Sequence, residues 1–235
     1  MIPRIKSGIQ GLDEFIGGGI PENTITLLYG PPKTGKSIFC YQFMYQGLID
    51  QEPCLYLMSD YTLDQLSQRM MGFNWFIENY IQDKMLFVVD TASRLSMEVP
   101  METYTYKVSS PQNPTDMMIK VNEGIKFTCQ RSPRFRAILD SLTSLFIYNP
   151  SLLIIRVLKM YIQRIKKAGG TGIITYAMGS VDKNIETMLK NSADNIIYLS
   201  QSQTGRYEIT IEAMVGGSPK KAAFMITNNG IAIKT

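Results

Sequence analysis

Eight consecutive residues have the types and the spacing that bind phosphate groups. They fit the pattern G-x-x-x-x-G-K-[ST], and they are Gly30, Pro31, Pro32, Lys33, Thr34, Gly35, Lys36 and Ser37. A loop of backbone N–H groups that leads into a helix can wrap a triphosphate where glycines allow close approach. The lysine then reaches the outer phosphates, and the serine hydroxyl ligates Mg²⁺. The pattern predicts a nucleotide site; the alternative is an accidental match in a glycine-containing turn.

A carboxylate at the end of a later apolar segment completes the expected metal site. Ala137–Leu139 is apolar throughout and is closed by Asp140. A carboxylate in this position holds the water shell of Mg²⁺ opposite the hydroxyl of Ser37. We therefore predict that Ser37 and Asp140 form the metal site. The alternative is that Asp140 is a turn residue.

A second strand-end carboxylate is a candidate catalytic residue. The chain contains no histidine, so a general base must be a carboxylate. Asp60 follows the predicted strand Cys54–Met58, and sites of open α/β sheets collect at the carboxyl ends of strands. Two roles stay open for Asp60: general base, or N-cap of the predicted helix over residues 63–71.

The elements that must position these residues alternate between strand and helix. The alternation predicts a mostly parallel central sheet flanked by helices, extended by C-terminal antiparallel strands that end in a hairpin at Asn228–Gly230. We expect one domain over residues 1–235. The predicted strands before the antiparallel part cover residues 24–29, 54–58, 85–90, 137–139 and 171–178, and the main helices cover residues 36–47, 63–71, 115–129 and 150–167.

Two segments carry weaker signals. Residues 91–113 contain prolines and an aromatic cluster beside a lysine, and they predict a long irregular loop. Arg131, Arg134 and Arg136 precede the strand that ends at Asp140. They therefore lie at the opposite end of that strand from the nucleotide, and we expect them to be surface charges; contact with a partner is the alternative.

The composition restricts the function classes only mildly. The formal net charge is +4 with both signs mixed along the chain, which does not indicate a nucleic-acid binder. Three cysteines lack metal-type spacing, which indicates core residues in a reducing cytosol. No apolar signal core or membrane-length apolar run is present, so we expect a cytoplasmic chain without a membrane span.

The opening of the chain, from Ser7 through the glycine-rich turn to Ser37, resembles the KaiC-like ATPases of the RecA superfamily, a group that includes archaeal RadA paralogues. The runs Asp140–Leu145 and Ser192–Leu199 resemble the same family. The resemblance implies a RecA-like P-loop NTPase fold with ATP and Mg²⁺ as ligands.

The sequence departs from the family at the positions that accelerate hydrolysis. Two consecutive glutamates of the family are replaced by Asp60 and Tyr61, and a glutamine that senses the γ-phosphate is replaced by Ala177. A lysine and an arginine that reach the neighbouring subunit's nucleotide are replaced by Ala213 and Val215. Lys220 or Lys221 is the alternative source of a displaced cation. The segment 179–192, where recombinases contact DNA, has balanced charge.

These departures predict an ATP-binding protein with weak or absent hydrolysis, and three functional classes stay open. The first is a regulatory RadA-paralogue-like protein that contacts single-stranded DNA or a recombinase. The second is a nucleotide-dependent scaffold or assembly factor of the kind found among archaellum-associated KaiC relatives, without DNA binding. The third is a competent ATPase or autokinase. A homo-oligomer is compatible with each class.

Overall fold

The computed structural model describes residues 2–95 and 99–234. Within these residues the strands are β1 (Arg4–Ile5), β2 (Ile20–Pro21), β3 (Ile25–Gly30), β4 (Cys54–Met58), β5 (Leu86–Asp90), β6 (Tyr106–Val108), β7 (Phe135–Asp140), β8 (Gly170–Ala177), β9 (Asn195–Gln201), β10 (Tyr207–Ala213), β11 (Lys220–Thr227) and β12 (Gly230–Ile233). The helices are α1 (Leu12–Phe15), α2 (Lys36–Ile49), α3 (Leu63–Met71), α4 (Glu78–Gln82), α5 (Pro114–Cys129), α6 (Leu142–Tyr148), α7 (Ser151–Lys167) and α8 (Lys183–Lys190).

One ten-stranded sheet organises the chain. Its strand order is β12-β11-β10-β9-β3-β8-β7-β4-β5-β6, while β1 and β2 form a separate antiparallel pair. Neighbouring strands are parallel from β6 across to β9 and antiparallel from β9 to β12. The predicted α/β architecture, a mostly parallel sheet with C-terminal antiparallel strands, is confirmed.

The central strands are buried along their whole length because helices cover both faces of the sheet. Every residue of β3, β4, β5 and β7 is buried, as expected for parallel strands between two layers of helices. One apolar core contains side chains of α2 and α3, and the other contains side chains of α5, α7 and α8. The register pairs Met58 with Asp140 and Gly30 with Ala177. The carboxyl ends of four strands therefore lie at one edge of the sheet.

Two segments that the sequence analysis did not assign to strands or helices contain regular structure. The expectation of an irregular loop over residues 91–113 is wrong at β6, which pairs in parallel with β5, and at a 3-10 turn over Ser93–Leu95; residues 96–98 lie outside the described part. Within residues 179–192 the structure forms α8, whose N-cap Asp182 accepts hydrogen bonds from two backbone N–H groups. Ile185 and Leu189 of this helix pack into the second core.

Arg136 is not the surface charge that the sequence indicates. Its side chain is 1% exposed, and its Nε donates to a Glu52 carboxylate oxygen at 2.7 Å. Its Nη1 donates to the carbonyl oxygens of Lys6 and Phe43, both at 2.8 Å. Both faces of β7 are covered, and the charge can be buried there because carboxylates and carbonyl oxygens surround it. Arg131 and Arg134 are exposed, as predicted.

Among the described residues, no helix has both the length and the apolar character needed to cross a bilayer.

Candidate nucleotide site

The backbone of the loop between β3 and α2 requires glycine at both glycine positions of the motif, residues 30 and 35. Gly30, the last residue of β3, has φ of 151°, and a Cβ atom there would lie 1.9 Å from the carbonyl oxygen of Leu199. Gly35 is the N-cap of α2 and has φ of 93°. Lys33 also has a positive φ, of 65°. A loop with left-handed residues that leads into a helix N-terminus can turn backbone N–H groups toward an anion, so this loop has the form expected of a phosphate site.

The Lys36 ammonium lies over this concavity. Its Nζ donates to the carbonyl oxygens of Gly30 at 3.0 Å and Pro31 at 2.7 Å. Burial lowers the pKa of Lys36, and the carboxylates of Asp140 and Asp60 oppose that shift. A phosphate bound in the loop would replace the two carbonyls as the partner of the ammonium, which is a stronger, charge-assisted contact.

Asp140, at the end of β7, is a buried carboxylate surrounded by hydroxyl groups. Its Oδ1 accepts from Thr175 Oγ1 at 2.6 Å, and its Oδ2 accepts from Tyr61 Oη at 2.5 Å and Tyr56 Oη at 3.2 Å. Burial raises the pKa of Asp140, while hydrogen bonds from Thr175, Tyr61 and Ser37 oppose that rise. The structure thus brings the two predicted metal residues, Ser37 and Asp140, together although they lie on different elements.

The chemistry of these two residues fits Mg²⁺. A hydroxyl and a carboxylate are hard oxygen ligands, and Mg²⁺ in nucleotide sites is held by one or two protein groups together with phosphates and water. Residues 2–95 and 99–234 contain no cluster of three or more His, Cys, Asp or Glu side chains that could hold a metal ion without such help. A magnesium ion here would therefore depend on the nucleotide.

Asp60 lies beside this site, and the N-cap alternative for it is wrong. Thr62 is the N-cap of α3, and its hydroxyl and Gln65 form a capping box. The Asp60 carboxylate instead accepts hydrogen bonds from the hydroxyls of Ser141, at 2.8 Å, and Ser144. Asp60 is exposed, so a water molecule has access to it. The role of general base therefore stays a prediction for Asp60.

Tyr61 is a site residue to which sequence reasoning assigned no role. The sequence shows it only as a phenol where the family has a second glutamate. In the structure its hydroxyl contacts both Asp140 Oδ2 and Tyr56 Oη, the latter at 2.7 Å. A useful signal was available, because Tyr61 follows a strand-end aspartate and therefore had to lie near the other strand ends.

Val215, Lys220 and Lys221, which lie at or near the positions where the family carries cations, all make contacts within this chain. The N–H of Val215 donates to Asn195 Oδ1 at 2.9 Å, and its carbonyl accepts from Arg4 at 3.1 Å. Lys220 donates to the carbonyl of Phe15 at 3.1 Å, and Lys221 pairs with Glu208 at 2.9 Å. Each candidate replacement cation thus has a partner within its own chain.

Comparison with known proteins finds relatives along the whole chain. A UPF0273 protein of Methanocaldococcus jannaschii is 29% identical over 98% of this chain and 96% of its own length. The circadian clock oscillator protein KaiC of Parathermosynechococcus lividus is 27% identical over 99% of this chain, which spans 42% of that protein. Among solved structures, a KaiC-like protein of Pyrococcus horikoshii has a TM-score of 0.81 and 26% identity, with 100% of both chains covered.

The sheet topology and the loop between β3 and α2 define a RecA-like P-loop protein. The model of the family described as "ATPase: KaiC" matches residues 5–235. The chain therefore belongs to the KaiC family of ATPases, and membership of this family supports nucleotide binding.

Proposed function

We propose that this chain is a single ATP-binding domain that binds ATP with Mg²⁺ and hydrolyses it slowly or not at all. In this proposal the nucleotide is a regulatory ligand that stabilises one conformation or one assembly of the protein. The observation that carries it is the contrast within the site. The phosphate loop and the Ser37–Asp140 pair are assembled, whereas the positions that speed hydrolysis in the family hold Tyr61, Ala177, Ala213 and Val215.

The residues of the loop would perform the binding. The backbone N–H groups around Gly30–Gly35 would wrap the β- and γ-phosphates, and Lys36 would leave its two carbonyl partners to contact them. Ser37 and Asp140 would hold Mg²⁺, which neutralises phosphate charge when bound. Asp60, oriented by Ser141 and Ser144, would orient an attacking water.

Slow turnover follows from the missing cations. Charge that develops on the γ-phosphate in the transition state needs a stabilising partner, and an arginine supplied by a neighbour is worth about a thousandfold or more in rate. Ala213 and Val215 carry no charge, and within this chain Lys220 contacts the carbonyl of Phe15 and Lys221 contacts Glu208. Binding without fast turnover is therefore the expected behaviour.

The test combines equilibrium binding with single-turnover hydrolysis on the intact chain. We expect calorimetry to show ATP binding in the presence of Mg²⁺, and Lys36→Ala to weaken it by about tenfold or more, because one charge-assisted contact is lost. Lys126→Ala is the control, since it also removes one lysine charge, but from an exposed position in the last turn of α5. It should change affinity by less than about twofold.

Two results would contradict the proposal. Absence of any nucleotide affinity with Mg²⁺ present would remove the binding function. Turnover of about one per second that Lys36→Ala abolishes would identify a competent ATPase, since such a rate is typical of active phosphoryl-transfer enzymes.

Partners and assembly are further parts of the proposal. DNA or recombinase contact, the RadA-paralogue-like alternative, is supported by the family resemblance, and the balanced charge around α8 gives it little further support. Retardation of single-stranded DNA that weakens with salt would favour it. Nucleotide-dependent homo-oligomers, the scaffold alternative, would be detected as a change in mass on ATP addition by light scattering. The cytoplasmic location stays a prediction.

A further inference from the structure

The buried phenol of Tyr61 lies beside Asp140, the carboxylate that would hold Mg²⁺ in the proposed function. Its side chain is 2% exposed, and its hydroxyl is 2.5 Å from Asp140 Oδ2. The other carboxylate oxygen, Oδ1, accepts from Thr175 on β8. Two donors on different elements therefore hold the two oxygens, which fixes the rotation of the carboxylate about its Cβ–Cγ bond.

We propose that Tyr61 is a positioning residue for magnesium: its hydroxyl holds Asp140 in the orientation that receives the Mg²⁺ of a bound nucleotide. The inference rests on the proposed function, because it concerns the metal that accompanies ATP. Partners that orient a metal-binding carboxylate typically change metal affinity 10- to 100-fold when they are removed. The phenol does this without adding a second negative charge to a buried pocket.

The neighbourhood of Tyr61 is built to keep its hydroxyl in place. The guanidinium of Arg69, on α3, lies 4.6 Å from the centre of the Tyr61 ring. The ring of Tyr41, on α2, meets it edge-on at 6.1 Å and 84°. Tyr61 is thus held between two helices while its oxygen reaches the strand end.

Tyr56 provides an internal comparison. Its hydroxyl is 3.2 Å from Asp140 Oδ2 and 2.7 Å from Tyr61 Oη. Its contact with the carboxylate is longer, and hydrogen bonds between oxygens weaken beyond about 3.0 Å. Tyr56 also lies within β4, in a sheet that holds it independently of the site. We therefore assign the positioning role to Tyr61 and a supporting role to Tyr56.

The experiment measures Mg²⁺ dependence separately from nucleotide binding. Binding of a fluorescent ATP analogue is titrated first in EDTA and then at increasing Mg²⁺, for the wild type, Tyr61→Phe and Tyr56→Phe. We expect Tyr61→Phe to raise the Mg²⁺ concentration for half-maximal effect by about tenfold or more. Affinity in EDTA should stay within about twofold, and Tyr56→Phe should shift the Mg²⁺ midpoint by less than about threefold.

A second variant tests the same role from the protein surface. Arg69 is exposed, and the structure gives it a charge interaction with Asp140, so Arg69→Ala should fold even where Tyr61→Phe does not, and Arg69→Lys is needed beside it to keep that charge. Loss of the stacked guanidinium loosens the Tyr61 ring, and we expect an increase of about twofold to fivefold in the Mg²⁺ midpoint. Arg69→Lys should restore part of the effect.

The outcomes separate this inference from the proposed function. If the wild type binds no nucleotide in EDTA or with Mg²⁺, the proposed function fails. If the wild type binds and responds to Mg²⁺ while Tyr61→Phe and Arg69→Ala titrate like it, the positioning role is overturned and the proposed function stands. Equal loss of affinity in EDTA and in Mg²⁺ would also overturn the positioning role, because it would indicate general damage to the site.

Discussion

Strand β7 carries a buried charged side chain near each end, and the two charges are compensated differently. Arg136, near the amino end, pairs with Glu52 at 2.7 Å and Asp50 at 3.6 Å and also donates to backbone carbonyls. Asp140, at the carboxyl end, takes its hydrogen bonds from the neutral hydroxyls of Thr175, Tyr61 and Tyr56. None of the ion pairs found within residues 2–95 and 99–234 includes Asp140.

The difference separates a charge that maintains the fold from one that is available to a ligand. The carboxylates of Asp50 and Glu52 neutralise the charge of Arg136 and join β7 to the end of α2. Its hydrogen bond to the carbonyl of Lys6 joins β7 to the N-terminal segment. Neutral hydroxyls orient Asp140 and stabilise its ionised form without cancelling its charge. In the proposed function, a cation that accompanies a nucleotide would meet a carboxylate with Lys36 nearby but outside every ion pair found among the described residues.

The largest effect is expected from breaking the pair at the amino end. Arg136→Met leaves Glu52 without its partner and removes the side-chain donor from the carbonyl oxygens of Lys6 and Phe43. We expect the free energy of unfolding to fall by about 3 kcal/mol, measured by urea denaturation. ATP affinity of the folded protein should stay within about twofold. A loss of stability below about 1 kcal/mol would contradict the structural role of this pair.

Removing the charge at the carboxyl end should have the opposite pattern. Asp140→Asn keeps the shape but lowers the attraction for Mg²⁺, and we expect the Mg²⁺-dependent gain in ATP affinity to fall by about tenfold or more. Asp90→Asn is the matched control, because Asp90 is also a fully buried strand-end aspartate, at β5. If both variants lost the Mg²⁺ response equally, Asp140 would have no special part in it.

The pH dependence of stability sharpens the same contrast. Because burial raises the folded-state pKa of Asp140 above its ordinary value of 3.8, the folded state holds the proton more tightly than the unfolded state. The stabilisation from Asp140 is therefore complete below pH 3.8 and is lost as pH rises through the folded-state pKa. The unfolding free energy of wild type minus Asp140→Asn, measured without Mg²⁺, should decrease over that range. A constant or rising difference would show that burial does not dominate.

The smallest effect is expected at Asp60. This carboxylate is exposed and accepts from Ser141 and Ser144 rather than from the residues of the metal site. Asp60→Asn should leave Mg²⁺-dependent ATP affinity within about twofold, while any residual single-turnover rate should fall. A loss of Mg²⁺ affinity as large as that of Asp140→Asn would assign Asp60 to the metal and not to the attacking water.

The amino-acid sequence was sufficient for features that depend on neighbouring residues. The glycines of the predicted phosphate loop could be recognised from the sequence because residues 30 and 35 have positive φ angles that favour glycine. The parallel strands were predictable because short apolar runs between helical segments must be covered on both faces. The α3 helix was predicted with the observed bounds, Leu63–Met71, because its boundaries are set by local capping and apolar spacing.

Other features arise from contacts between distant parts of the chain, and no local pattern encodes them. Tyr61 and Asp140 are 79 residues apart, and Arg136 and Glu52 are 84 apart. Burial of Arg136 depends on partners from other elements, and β6 is only three residues long and forms because β5 provides an edge. The sequence therefore identified the residues that could bind phosphate, whereas packing selected the hydroxyls that surround Asp140. The energy of a buried charge depends on the groups that folding brings next to it.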